Sequence, residues 1–161
     1  MTDSKIILIT GASSGIGAAV AAHLAQTGHH VIAGARREDR LRELVETTAT
    51  EKSGGSLSVG RLDVLVNNAG VMPLSRLDAL LVDQWDHMID VNVRGLLNGI
   101  AAALPHFQRL GRGHLVTVAS VGAYEVVPTA VYCATKHPAW AIDEAAEVDV
   151  NEVIVRPARQ R

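Results

Sequence analysis

Ile6-Ile7-Leu8-Ile9-Thr10-Gly11-Ala12-Ser13-Ser14-Gly15-Ile16-Gly17 is the stretch whose reading decides the fold. Four consecutive apolar residues, three of them β-branched, form the pattern of a parallel strand buried on both faces. The glycine-rich turn that follows runs straight into Ile16, Val20 and Leu24, which recur every fourth residue up to Gly28. That spacing predicts a helix with a glycine stop. A strand feeding a helix through glycines does a specific physical job. The helix N-terminus offers unpaired N–H groups and the positive end of a dipole, and residues without a Cβ let backbone approach a pyrophosphate closely.

Outward from this unit the alternation continues. Val31-Ile32-Ala33 restarts the strand pattern, and Leu41, Leu44, Val45 and Thr48 mark one face of a second helix ending before Ser53-Gly54-Gly55. Val64-Leu65-Val66 is a third buried strand ending at Asn67. Leu77 to Leu110 carries Trp85, Ile89, Leu96, Ile100, Leu104 and Phe107 at helical spacings, enough for two helices, with Gly111 to Gly113 as terminator. Leu115 to Ala119 reads as a strand, the Tyr132 region as the start of a helix, and Val150 to Val155 as a last strand before Pro157. Strands alternating with helices predict an α/β fold with a parallel sheet covered on both faces.

Composition narrows the function. With 161 residues and 48% hydrophobic content the chain suits one domain with a single core. A net charge of −2, with one local basic cluster at Arg36, Arg37, Arg40 and Arg42, excludes nucleic acid as the main partner. The lone Cys133 excludes an internal disulfide and a cysteine-based zinc site, and its expected role is a small buried residue. The seven histidines form no metal pattern, so no metal site is expected. Trp85 and Trp140 are expected in the core or an interface. No run approaches the length of a membrane span or a signal segment, so the expected location is the cytoplasm, with no membrane partner.

Asn67-Asn68-Ala69-Gly70 and Tyr132-Cys133-Ala134-Thr135-Lys136, in this order after Thr10-Gly11-x-x-x-Gly15-x-Gly17, resemble the short-chain dehydrogenase/reductase family over nearly the whole chain. The resemblance implies a Rossmann-like doubly wound sheet and a nicotinamide cofactor held at Gly11, Ser13, Ser14, Gly15, Ile16, Gly17 and Asn68. After the second strand an acidic residue would favour NAD(H) by pairing with the ribose hydroxyl. Gly34-Ala35-Arg36-Arg37 has none, and two guanidiniums can grip a 2′-phosphate, so the expected cofactor is NADP(H) rather than NAD(H), with Arg36 and Arg37 at its phosphate.

Carbonyl reduction by hydride needs a proton donor at the oxygen, and a free tyrosine hydroxyl, which titrates near about 10, serves poorly at neutral pH. Lys136 stands one helical turn from Tyr132, so the two share a face and the ammonium stabilises a phenolate. By resemblance, Tyr132 is the general acid/base, and Lys136 serves it and also binds the nicotinamide ribose. Ser120, ending His114-Leu115-Val116-Thr117-Val118-Ala119-Ser120, holds the substrate oxygen with Tyr132. Asn92, in Asp90-Val91-Asn92-Val93-Arg94-Gly95, matches the asparagine that holds a relay water behind the lysine. The expected reaction interconverts a secondary alcohol and a ketone or aldehyde of small size. The alternatives are a dinucleotide-binding but inactive sensor or assembly subunit, and an epimerase of the related extended family, whose glycine pattern and greater length fit less well. The family usually forms homodimers or homotetramers, here through helices around Leu96 to Leu110 and Tyr132 to Ile142.

Two junctions depart from the family pattern, near 56–64 and 143–147. At the first, a strand and helix of the pattern are absent. Asp63 therefore matches either the acid that caps the adenine ring or the ordinary acid just before the next strand. At the second, the catalytic helix passes to the final strand without the segments that hold the nicotinamide amide and cover the substrate.

Overall fold

The computed structural model describes residues 4–48, 61–123, 130–143 and 149–150. Residues 56–60 and 144–147 of the two short junctions lie outside them, as do 151–155 of the predicted last strand and the Ser53 to Ser58 loop. β1 (Ile6–Thr10), α1 (Gly15–Gln26), β2 (His30–Gly34) and α2 (Glu38–Thr48) form the opening pair of strand–helix units. β3 (Val64–Asn67) leads through a loop with a 3-10 turn (Leu77–Ala79) to α3 (Val82–Met88). β4 (His114–Thr117), α5 (Ala130–Asp143) and β5 (Asp149–Val150) complete the described part.

The strands make one sheet in the order β2-β1-β3-β4-β5, every pairing parallel. Ile7 lies opposite Val64, and Leu65 opposite Leu115. Alternate side chains of each strand enter different layers, as the two-residue period demands. Ile7, Ile9 and Val66 pack with Ala21, Val20, Leu24, Leu41 and Leu44 of α1 and α2. Leu8, Leu65 and Leu115 pack on the opposite face with Ile100, Ala103, Leu104 and Phe107. Helices thus cover both faces, and the sheet is doubly wound, as expected. Ile16 departs from the predicted apolar stripe: it is 58% exposed, because the first turn of α1 stands at the rim of the sheet beyond the strand ends.

The predicted pair of helices within 77–110 is, from Val82 onward, one continuous helical path. α3 passes into a π-helical turn (Ile89–Arg94) and then α4 (Gly95–Leu110), with helical backbone at both junctions. The Gly95 N–H donates to the Asp90 carbonyl five residues back, the widened turn that defines this geometry. α4 ends at Gly111, whose φ of 64° only glycine adopts without cost.

Asp63 settles at the opposite end of the sheet from the strand C-termini. Its carboxylate accepts the Ile6 N–H at 2.9 Å and Arg61 Nε at 2.9 and 3.0 Å, and its backbone bonds Ile6 and His114. It ties the starts of β1, β3 and β4 together, the role of the ordinary acid just before a strand. Among the described residues, no helix is long and apolar enough to cross a membrane, and no group of His, Cys, Asp or Glu could hold a metal.

Candidate active site

Parallel strands end on one side of the sheet, and their loops leave a crevice there. In this protein the crevice has a volume of about 950 Å³ and is lined from one end by Gly11, Ser13, Ser14 and Ile16, with Arg36 and Arg37 beside them. Asn68, Ala69, Gly70, Val71 and Met72 form its floor, and Tyr132 and Lys136 close the other end. The glycine-rich turn and the Tyr-x-x-x-Lys pair, far apart in sequence, therefore face one space.

The turn is built for close backbone approach. A Cβ on Gly11 would stand 2.8 Å from the Ala69 Cα, and one on Gly17 2.6 Å from the Gly11 carbonyl oxygen. Thr10 is the hub that sequence reading passed over. Its hydroxyl accepts the N–H groups of Asn68 and Ala69, both at 3.1 Å, and reaches the Val66 carbonyl at 3.4 Å. Asn68 Nδ2 donates to the Thr10 carbonyl at 3.0 Å, so the β3 loop and the turn are fixed to each other. Ser14, at the N-cap of α1, makes no side-chain cap bond, which leaves the helix N-terminal N–H groups to the crevice.

The four arginines of the basic cluster divide into two pairs. Arg40 and Arg42 are spent in exposed ion pairs with Glu43 and Glu38 on α2. Arg37 instead donates to Ser13 Oγ at 3.0 Å and Ser14 Oγ at 2.7 Å, which holds its guanidinium over the turn, and Arg36 lines the crevice beside it.

At the chemical end, Lys136 is 7% exposed and donates to the Val118 carbonyl at 3.1 Å. Burial pushes its ammonium below the ordinary lysine range. Gly70 packs against it, such that a Cβ there would stand 3.0 Å from Nζ. Tyr132 is half-buried one turn earlier, its ring against Gly122. Asn92 lies in the π turn, fully enclosed at 4% exposure. Its Oδ1 accepts the Val71 N–H at 2.8 Å, and its Nδ2 donates to the Val71 carbonyl at 3.0 Å and to Thr135 Oγ1 at 2.9 Å. Thr135 Oγ1 donates in turn to the Tyr132 carbonyl at 2.8 Å. Thr135, unremarked in the sequence, thus links the β3 loop to the helix that carries Tyr132. A hydroxyl one turn after Tyr132 on the buried face was the available signal.

Ser120 is placed differently from the others. It follows β4 as expected, but its hydroxyl accepts the Gly122 N–H at 3.2 Å, and Val118 and Ala119 form the crevice wall at this point. Cys133 is buried, as expected, and Trp85 half-buried.

The arrangement fits a dinucleotide: a cradle that a Cβ would fill, free N–H groups for a pyrophosphate, and guanidiniums beyond the second strand. The sequence model of the short chain dehydrogenase family matches residues 5–59 and 55–156. An uncharacterized oxidoreductase of Staphylococcus saprophyticus is 40% identical, with 87% of this chain aligned to 65% of that protein, so the chain spans somewhat less than two thirds of its relative's length. The crystal structure of serine dehydrogenase from Escherichia coli superposes with a TM-score of 0.80 at 29% identity, covering 90% of this chain and 79% of that one. The closed form of a serine dehydrogenase complexed with NADP+ gives 0.79 at 30% identity, covering 87% and 64%. With the family model matched from the first strand to beyond the last described one, and this fold beneath it, the chain belongs to the short chain dehydrogenase family.

Proposed function

We propose that this protein is an NADP(H)-dependent oxidoreductase that interconverts a secondary alcohol and a ketone or aldehyde. The observation that carries the reading is the single crevice shared by the glycine-rich turn, the arginines and the Tyr132–Lys136 pair. Gly11, Gly15, Gly17 and the start of α1 would hold the pyrophosphate, Arg36 and Arg37 the 2′-phosphate, and Asn68 the adjoining sugar or ring. When bound, the nicotinamide supplies or accepts the hydride. The NADP+ in the related serine dehydrogenase structure supports the choice of cofactor.

The chain's own residues then handle the proton. Tyr132 donates it to the carbonyl oxygen in reduction and takes it from the alcohol in oxidation. Lys136, enclosed and fixed to the Val118 carbonyl, sets a positive charge beside the phenol's position on the helix, where low dielectric makes it effective. Asn92 and Thr135 hold the start of α5 to the β3 loop. Ser120, whose hydroxyl accepts the Gly122 N–H and keeps its own proton to donate, would steady the substrate oxygen. Val71 and Met72 give the crevice an apolar wall suited to a small organic substrate.

The test is turnover of NADPH with a panel of ketones and aldehydes, and of NADP+ with secondary alcohols, for wild-type and Tyr132→Phe proteins. Turnover in the wild type, lost in the variant with NADPH affinity nearly unchanged, supports the reading. Loss of affinity together with turnover would make Tyr132 a structural residue. Ser120 is not among the residues that line the crevice, which favours a second reading, a dinucleotide binder without catalysis, that NADPH binding without wild-type turnover would establish.

A further inference from the structure

β2 stands at one end of the sheet, with β1 on its inner side and no strand outside it among the described residues. The His30 N–H donates to the Lys5 carbonyl at 2.9 Å, and the Gly34 carbonyl accepts the Ala12 N–H at 3.2 Å. Those bonds turn the backbone groups of His30, Ile32 and Gly34 toward β1 and its flanks. Strand alternation then points the N–H and C=O groups of Val31 and Ala33 out of the sheet, where no described group meets them. An open edge is ordinarily blunted by lysine, proline or a bulge. β2 contains no lysine or proline, and its register with β1 is unbroken over all five residues. Two apolar side chains are left over beside this edge. Ile32, in the middle of β2, is 36% exposed, and Val45 on α2 is 61% exposed although Leu41 and Leu44 of the same stripe pack against the core.

We propose that β2 is a docking edge for a second copy of this chain, the two β2 strands pairing antiparallel about a two-fold axis at Ile32. A strand that pairs with itself must oppose residues whose backbone groups both point outward, and this register does so. Val31 exchanges both its hydrogen bonds with the second copy's Ala33, and Ala33 with its Val31, which satisfies every outward group on both strands. Ile32 meets its own counterpart as the non-hydrogen-bonded pair between them, where side chains approach most closely and β-branched pairs favour the sheet. His30 falls opposite Gly34, which leaves room for the imidazole, and β2 carries no Lys, Arg, Asp or Glu to be set against its like. Leu41 and Leu44 seat α2 against the cluster built by β1, β3 and α1, and Val45 is free to add to the contact. The chain is too short to close this edge with a parallel strand of its own. Residues 49–60, between α2 and the approach to β3, would have to supply both that strand and its return, and a crossover between parallel strands alone takes about a dozen residues. Five residues a side make a small interface of the weak class, below about 1,200 Å², so pairing should grow with protein concentration. The inference rests on neither cofactor nor reaction.

The experiment joins disulfide trapping to amide hydrogen exchange. In the proposed pair the two Ile32 Cα atoms lie about 4.5 Å apart, within disulfide reach. Under copper phenanthroline, Ile32→Cys should form a linked dimer about tenfold or more faster than Gln26→Cys, an exposed position on α1, because a held pair reacts at a higher effective concentration than free collision provides. In the wild type, the Val31 and Ala33 amides should gain protection as concentration rises, while the Ile32 amide, turned toward β1, stays protected throughout. Ile32→Lys sets two ammonium groups against each other on the axis and should abolish the concentration-dependent part. Linking of Ile32→Cys no faster than of Gln26→Cys overturns the proposal. So does protection of Val31 and Ala33 that is independent of concentration, which would mean that residues 49–60 cover the edge within one chain. Amides that stay unprotected at every concentration overturn it as well, and would leave the edge to an extended segment of another protein. The wild-type exchange needs no variant, so a substitution that fails to fold leaves the test in force.

Discussion

At the residue scale, single atoms carry the function. Gly70 touches Lys136 at a distance that a methyl group would crowd, 3.0 Å from Nζ and 3.4 Å from Asn92 Oδ1. Gly70→Ala is expected to leave the fold intact and to lower kcat about tenfold by displacing the ammonium, a 1.4 kcal/mol loss in the transition state; steady-state kinetics beside a melting curve would separate the two effects. Arg37→Ala should weaken NADP+ binding about tenfold or more while NAD+ binding changes little, since a charge-assisted bond to phosphate contributes about 1.5–3 kcal/mol. Equal weakening of both cofactors in a calorimetric titration would refute that assignment. At the far end of the sheet, burial alone would raise the Asp63 carboxyl, yet the Arg61 and Ile6 hydrogen bonds and the charges of Arg61 and Arg112 outweigh it and hold the group below its ordinary value. A carboxyl depressed on folding stabilises fully above the unfolded value, about pH 4, and loses that contribution as pH falls through the folded one. Asp63→Asn should therefore cost about 2 kcal/mol at neutral pH. Urea unfolding at pH 7 and in acid should show the gap from wild type closing in acid.

At the element scale, the π turn between α3 and α4 is the decisive irregularity. An α-helical path through 89–94 would rotate Asn92 away from the Val71 backbone, because each residue advances by about 100° in an α-helix and less in the wider turn. The extra residue in this turn puts the amide where it can bridge the β3 loop and α5. Asn92→Ala would leave the Val71 N–H and carbonyl and the Thr135 hydroxyl short of partners. The expected cost is about 2–4 kcal/mol, with faster hydrogen exchange at the Val71 amide. Slow exchange retained at Val71 in the variant would show that the bridge is dispensable. Sequence spacing indicated helices over 77–110, but the π geometry had no local signature; it exists because the side chain's partners lie on other elements.

At the scale of the whole molecule, the segment from Met72 to Leu97 exposes large apolar side chains, among them Leu80 at 69%, Ile89 at 43% and Leu97 at 49%. Apolar surface of this kind on a long helix favours association. We expect a homo-oligomer, dissociated by Ile89→Glu with Leu97→Glu; sedimentation that shows the wild type as a monomer would refute it. Ser120 shows where motif reading stops: its chain position follows from the strand pattern, but the direction of its hydroxyl depends on the Gly122 N–H.

The sequence by itself determined the parallel sheet, the glycine-rich turn, the Tyr132–Lys136 pair and the absence of an acid after β2. Each is written in local periodicity or in short spacing along one element. Only the tertiary structure decided that the turn and the pair share a crevice, that Asp63 ties the strand starts together, that Thr10 and Thr135 are hubs, and that Asn67 and Thr117 face a cavity beside Lys136. Those facts depend on which residues from distant segments arrive at the same few ångströms, and the energy of a buried polar atom is settled by its neighbours in space, not in sequence.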